Sequence, residues 1–250
     1  MDNLAIEVNA LSVSYHTKIN SFHALGPVSF NIQPGEFVSI LGPSGCGKST
    51  LAKVLTGIIR NYEGTFKLSN SIKTISNVFQ DYGVFPWKTA LENVAFPLRE
   101  KGHNKREAQD LAQSWLEKLR IGNFAQSYPY QLSGGMKQRL SIARALSTQP
   151  DFLILDEPFA AIDTQLREVL QEELLELQQA NSMTTLQFTH NYDEAILLSD
   201  RILIMSPSPA TLKEEILIEF QRPRTAELRE QVAFSEIRSM LRETLRIGVK

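Results

Sequence analysis

From about Ile6 to Ile40 apolar and polar positions alternate. Ile6, Val8, Leu11 and Val13, then Phe30, Ile32, Phe37 and Val38, carry the two-residue period of half-buried strands. Gly26-Pro27 and Pro34-Gly35 break the run, so several short strands are predicted. From Ser49 to Ile59 the period lengthens, and Leu51, Val54, Leu55 and Ile58 share one helical face. A polar region then leads to a strand over Ile72–Phe79. Between about Trp87 and Thr148 the pattern is helical. Ala108, Leu111, Ala112, Trp115, Leu116 and Leu119 form one apolar face, and Gly122 stands where a helix C-cap belongs. The run Phe152-Leu153-Ile154-Leu155 is uniformly apolar, as in a strand buried on both faces. Leu166, Val169, Leu170, Leu174 and Leu177 mark another amphipathic helix. Strands over Thr184–Thr189 and Arg201–Met205 follow, then one alternating Ile216, Ile218 and Phe220. After Pro223 a basic amphipathic helix carries Leu228, Val232, Ile237, Leu241 and Leu245, with cations as far as Lys250.

Strand–helix alternation at both ends of a helical block predicts one α/β core carrying a helical insertion. The 250 residues and 28.2 kDa suit a single domain. A net charge of −2 argues against broad contact with nucleic-acid phosphates. The single cysteine, Cys46, excludes an internal disulfide and suits a reducing compartment. The opening MDNLAIEVNA has no signal-peptide layout, and no apolar stretch reaches the roughly 18 residues of a spanning helix. A soluble chain is expected, with a membrane partner still open.

Residues 42–50 read Gly-Pro-Ser-Gly-Cys-Gly-Lys-Ser-Thr, matching G-x-x-x-x-G-K-[ST] at Gly42, Gly47, Lys48 and Ser49. Background usage places this pattern in only about 1% of chains of this length, and the strand before it and helix after it narrow the odds further. Gly42, Pro43, Ser44, Gly45, Cys46, Gly47, Lys48, Ser49 and Thr50 are therefore candidate nucleotide-binding residues. Glycines let backbone N–H groups face phosphates, and the helix N-terminus adds its dipole. Lys48 reaches the β- and γ-phosphates and Ser49 can ligate Mg²⁺. Cys46 reads either as a small filler or as a thiol activated by the helix terminus.

The apolar strand ends in Asp156-Glu157-Pro158. Adjacent side chains on a strand diverge, which assigns Asp156 to the Mg²⁺ shell and Glu157 to a water in line with the γ-phosphate. Leu132-Ser133-Gly134-Gly135-Met136-Lys137-Gln138-Arg139 opens a helix and offers a second anion-binding N-terminus. One chain does not need two such sites for one nucleotide, whereas a head-to-tail dimer does. In isolation the segment is an ordinary helix N-cap at Ser133.

Together these residues resemble the ATP-binding cassette (ABC) ATPases, specifically the ATPase subunit of a transporter, over nearly the whole chain and in the family's order. The resemblance implies a P-loop NTPase core with an N-terminal antiparallel β region over 1–86 and 150–222. It also implies an inserted helical subdomain over 87–149 and a C-terminal basic helix over 223–250, all within one domain. Tyr15 falls where the family stacks an aromatic on adenine. Gln80 matches the glutamine that touches Mg²⁺ and the transmembrane subunit, and His190 the switch histidine on the γ-phosphate. Asp163, in Ala161-Ile162-Asp163, matches a dimer contact, and Ser133, Gly134 and Gly135 match the signature that closes on a neighbour's ATP. ATP and Mg²⁺ are the implied cofactors. The implied partners are a second cassette (identical or paralogous), transmembrane permease subunits and an extracytoplasmic solute-binding protein, at the cytoplasmic face of the membrane.

Phe85-Pro86-Trp87-Lys88-Thr89, Leu91-Glu92-Asn93-Val94 and Asp200-Arg201 resemble the nitrate/sulfonate/taurine importer branch, which includes importers of thiamine-precursor pyrimidines. The segment between Gly57 and Gln80 is shorter than that branch usually has, and Asn191 stands where aspartate is usual. An exporter or lipid-transport ATPase, and a soluble non-transport ABC ATPase, are the alternatives.

Overall fold

The computed structural model describes residues 4–16 and 21–246, so Lys250 of the basic tail lies outside the described residues. Two sheets organise the chain. β1 (Ile6–His16) pairs antiparallel with β2 (Ser21–Ile32) and with β4 (Glu63–Leu68). The second sheet has the order β5 (Ile75–Val78), β6 (Phe152–Asp156), β7 (Thr184–Thr189), β3 (Phe37–Leu41), β8 (Arg201–Met205) and β9 (Leu212–Leu217). Its first five strands are parallel and β9 joins antiparallel.

β3, β6 and β7 are buried along their whole length, as the unbroken apolar run at 152–155 predicts. Alternate side chains part to opposite faces. Phe152 and Ile154 join the cluster beneath β1, β2 and helix α1 (Lys48–Leu55). Leu153 and Leu155 join the cluster formed with α5 (Thr164–Ala180) and the helical block. That block comprises α2 (Ala90–Glu100), α3 (Lys105–Lys118) and α4 (Gly134–Leu146). α2 and α3 each begin with a capping box, Thr89 with Glu92 and Asn104 with Glu107, worth about 1 kcal/mol apiece. A third cluster gathers α6 (Tyr192–Leu198), β9 and α7 (Val232–Arg246).

Several local expectations are corrected. The helix expected to reach Ile59 stops at Leu55. Gly57, at φ +74°, closes it through Gly57 N–H to Val54 O and Ile58 N–H to Lys53 O, which leaves Ile58 exposed. The strand expected from Ile72 starts at Ile75, because the Asp151 carboxylate accepts the N–H groups of Lys73 and Thr74. Arg120, not Gly122, takes the left-handed position after α3, with Ile121 N–H bonded to Leu116 O. Both of those apolar residues are buried, and their contact favours the turn enough to place an arginine there. Leu111 and Val232 fall outside their helices' buried faces. In the tail Leu241 is buried as expected and Phe234 is buried in place of Val232, which turns the apolar face of α7 toward the domain.

Candidate active site

The loops after β3, β6 and β7 leave the same edge of the sheet. Leu41 is level with Thr189, and Asp156 with Phe188. Gly42, Glu157 and His190 each follow the last residue of a parallel strand, at the carboxyl-end crevice where open α/β sheets bind ligands.

Gly47 is the N-cap of α1 at φ +112°, and a Cβ there would stand 2.5 Å from Ala24 O. Only glycine satisfies both constraints. The Lys48 side chain is buried and turns back, donating from Nζ to Gly42 O at 2.7 Å and Pro43 O at 3.0 Å. A cavity of about 270 Å³ opens above the loop. Ser44, Gly45, Gly47, Lys48, Ser49 and Thr50 line it, together with Tyr15, Gln80 and Glu157. Gly42, Pro43 and Cys46 do not. The first two serve as acceptors for Lys48, and Cys46 belongs to the apolar cluster under the loop.

Tyr15 is paired across β1 and β2 with Phe22, and both aromatic rings are exposed at the cavity. Sequence reasoning missed Phe22. Its signal was the hairpin register, which puts it opposite Tyr15.

Burial pushes the Cys46 thiol above its ordinary pKa, and the nearby Lys48 charge opposes this only in part. The thiol is therefore protonated at neutral pH, and the filler reading stands over the activated one. Alkylation of the native protein is expected at least ~10-fold slower than that of a free cysteine. Thiol-titration kinetics check this, and reaction at the free-thiol rate would contradict it.

Asp156 is buried, and its Oδ1 has no hydrogen-bond partner among the described residues. Burial raises its pKa, while the Ser49 hydroxyl and the charges of Lys48 and Lys53 oppose the rise and Glu157 adds to it. Ser49, Gln80 and Asp156 line a second cavity of about 480 Å³. A buried carboxylate with one unpaired oxygen, lining one cavity with a hydroxyl and an amide, is a hard-oxygen donor set that fits Mg²⁺. No cluster of three or more His, Cys, Asp or Glu able to hold a metal occurs among the described residues. An ion completing its shell from phosphates and water needs none.

Glu157 adopts φ +51°, a conformation costing about 1–3 kcal/mol for a residue with a Cβ. Its N–H donates to Phe188 O at 2.9 Å, and its carboxylate Oε1 lies 2.9 Å from His190 Nδ1. The His190 side chain is 58% exposed and lines neither cavity, reaching the site through its contact with Glu157. Thr189 Oγ1 accepts from Asn191 N–H and donates to the buried Glu194 carboxylate, fixing both flanks of His190. Asn191 Oδ1 caps α6 by accepting from Asp193 and Glu194 N–H. The amide thus does the capping work of the aspartate usual there, without its charge.

Ser133 caps α4, accepting from Met136 N–H at 3.3 Å, and Asp163 caps α5, accepting from Leu166 N–H at 3.1 Å. Ser133, Gly134 and Asp163 are exposed, and none of Ser133, Gly134 or Gly135 lines either cavity. Within one chain the signature therefore stands apart from the phosphate loop.

Residues 25–160 match the family model described as ABC transporter. The chain is 37% identical over 248 residues to an uncharacterized ABC transporter ATP-binding protein of Methanocaldococcus jannaschii, covering 96% of this chain and 91% of that one. It is 36% identical to the aliphatic sulfonates import ATP-binding protein SsuB of Bacillus cereus (98% and 97% covered). To the nitrate transport protein NasD of Klebsiella oxytoca it is 40% identical (88% and 87% covered). Among solved structures it is similar to a dimeric, post-hydrolysis ATP-binding cassette bound to ADP and Pi. The TM-score is 0.78 at 30% identity, with 86% of this chain and all of that one covered. Motifs, sheet order and relatives agree, and the chain belongs to the ABC transporter family as one of its ATP-binding subunits.

Proposed function

We propose that this chain binds and hydrolyses Mg²⁺-ATP as the ATPase of an importer for a small solute, working as a dimer beneath transmembrane permease subunits. The loop amides and Lys48 hold the phosphates, and Tyr15 with Phe22 offers an aromatic platform for the base. Ser49, Gln80 and Asp156 would hold Mg²⁺, which when bound neutralises charge on the β- and γ-phosphates. Glu157 orients a water in line with the γ-phosphate and accepts its proton, while His190 bridges Glu157 and the γ-phosphate. Ser133, Gly134 and Gly135 close over the partner's nucleotide, and Asp163 contacts the partner. Closure and reopening then move the permease.

The observation carrying the transport half is the segment Phe79–Gly83. Gln80 on this segment lines the nucleotide cavity. Phe79 and Gly83 line an open groove of about 340 Å³ with Phe85, Phe96, Pro97 and Arg144. Trp87 is 70% exposed beside Phe85, with ring centroids 5.7 Å apart. An exposed aromatic surface joined to the γ-phosphate side by five residues suits a protein partner that must sense nucleotide state. No helix among the described residues is long and apolar enough to cross a membrane. We place the chain at the cytoplasmic face, fed by an extracytoplasmic solute-binding protein. The sulfonate and nitrate importers among its relatives support a small oxyanion of that kind as solute. A thiamine-precursor-like solute is the neighbouring possibility within the branch.

The test is to tag the chain in its native cell, extract membranes in mild detergent and identify what co-purifies. A multi-span membrane protein supports the reading. Recovery only from the soluble fraction would overturn the transport half and leave the ATPase chemistry. Ser133→Arg tests the trans arrangement, because the bulky cation obstructs the partner's nucleotide. The variant is expected to bind ATP within about 2-fold of wild type, since its phosphate loop is intact, but to stay monomeric on ATP addition. Normal dimer formation in size-exclusion chromatography would contradict it.

A further inference from the structure

Gln138 lies on α4, five residues after Ser133, and is 1% exposed. Its side-chain amide leaves its own helix entirely. Nε2 donates to Glu157 O at 2.8 Å and Oε1 accepts from Ala161 N–H at 3.2 Å. The two partners, one acceptor and one donor, fix the amide's orientation, since the reverse would oppose like groups at both ends. One turn earlier on α4 stands Gly135, where a Cβ would lie 2.9 Å from Ala161 O. Helix α4 is therefore packed on the Ala161 segment closely enough for glycine to be required, and Gln138 ties the same helix to the backbone of Glu157.

That backbone needs holding. Glu157 sits at φ +51°, outside the range a side-chain-bearing residue prefers. Phe188 O fixes its N–H from β7, and on the carbonyl side the shorter bond comes from Gln138, with Ala160 N–H at 3.4 Å. With the Gln138 donor removed, this peptide can relax toward negative φ and carry the carboxylate off His190 Nδ1.

We infer that Gln138 is a positioning residue for ATP hydrolysis, holding the Glu157 peptide in its left-handed conformation and tying it to the helix that carries Ser133, Gly134 and Gly135. The inference rests on the reading of Glu157 as the general base. Gln138 touches neither cavity, so it acts only through Glu157 and Ala161.

Two variants separate the bonds. Gln138→Met keeps the length and loses both. Gln138→Glu keeps an acceptor for Ala161 N–H but donates to Glu157 O only when protonated. For Gln138→Met, kcat is expected to fall about 10- to 100-fold, with KM and the affinity for a fluorescent ATP analogue within about 2-fold of wild type. ATP should then accumulate the variant as a dimer in size-exclusion chromatography, because nucleotide still binds while hydrolysis is slow. For Gln138→Glu, the deficit in kcat relative to wild type at the same pH should shrink between about pH 8 and about pH 6. Burial raises a carboxyl pKa, and protonation restores the donor. Wild-type kcat in Gln138→Met overturns the inference. So does a loss of analogue affinity in both variants equal to the loss of turnover, since packing alone would then explain it. Glu157→Gln is measured in parallel, and wild-type turnover by that variant removes the reading of Glu157, with which the inference falls. An inactive Glu157→Gln beside a fully active Gln138→Met sinks the inference alone.

Discussion

Glu157→Gln is expected to abolish turnover while leaving ATP binding in place. The substitution keeps shape and removes the anion that would take a proton from water. General-base catalysis contributes about 10²- to 10⁴-fold, and kcat should fall within that range. The backbone bonds to Phe188 and Gln138 do not involve the carboxylate, so the strained peptide keeps its position. ATP affinity comes from the phosphate loop and should stay within about 2-fold of wild type. Because hydrolysis is the exit from the closed state, Mg²⁺-ATP should convert the variant to a stable dimer. Phosphate release and size-exclusion chromatography with and without ATP check both halves. Rapid hydrolysis would refute the role of Glu157, and failure to dimerise would refute ATP-driven closure.

Lys48→Ala should act at the other end of the cycle, on affinity. Lys48 is the one cationic side chain lining the nucleotide cavity among the described residues. Its Nζ is already oriented by Gly42 O and Pro43 O, so little side-chain entropy remains to be lost on binding. A charge-assisted hydrogen bond contributes about 1.5–3 kcal/mol, which predicts ATP binding weaker by roughly 10- to 150-fold. Lys48→Met, which keeps the stem's packing, should lose about as much and so separates charge from volume. Equilibrium titration with ATP checks this, alongside circular dichroism to show both variants folded. Unchanged affinity in both would contradict the assignment.

The phosphate loop, the Asp156-Glu157 pair and the signature were legible because each is a short pattern at the junction of a strand or a helix. Ser133 was legible for a further reason: it caps the helix that begins at the next residue, and capping depends on neighbours three positions away. Asp163 came from the family resemblance alone, and its cap on α5 emerges from the structure. Helix ends were less legible. Gly122 looked like the stop of α3, yet Arg120 takes that position because the buried Leu116–Ile121 contact outweighs the cost of a left-handed arginine. Ile58 looked apolar enough to belong to α1, yet Gly57 ends the helix before it. Phe22 was invisible without the β1–β2 register, and Gln138 read as one more polar residue of a signature helix.

Local pattern alone specifies the strand Phe37–Leu41 with the phosphate loop and a helix after it, the buried strand ending in two carboxylates, the helical block and, through these, the family. All of these follow from periods and caps acting over a few residues. That Gly42, Glu157 and His190 share one edge follows from the folded sheet, because the order β6-β7-β3 brings together segments distant in the chain, with β3 and β7 more than a hundred residues apart. The same packing leaves Asp156 Oδ1 buried without a partner among the described residues and holds Glu157 at a positive φ. Desolvation and strain depend on everything packed around a residue, and no local pattern encodes them.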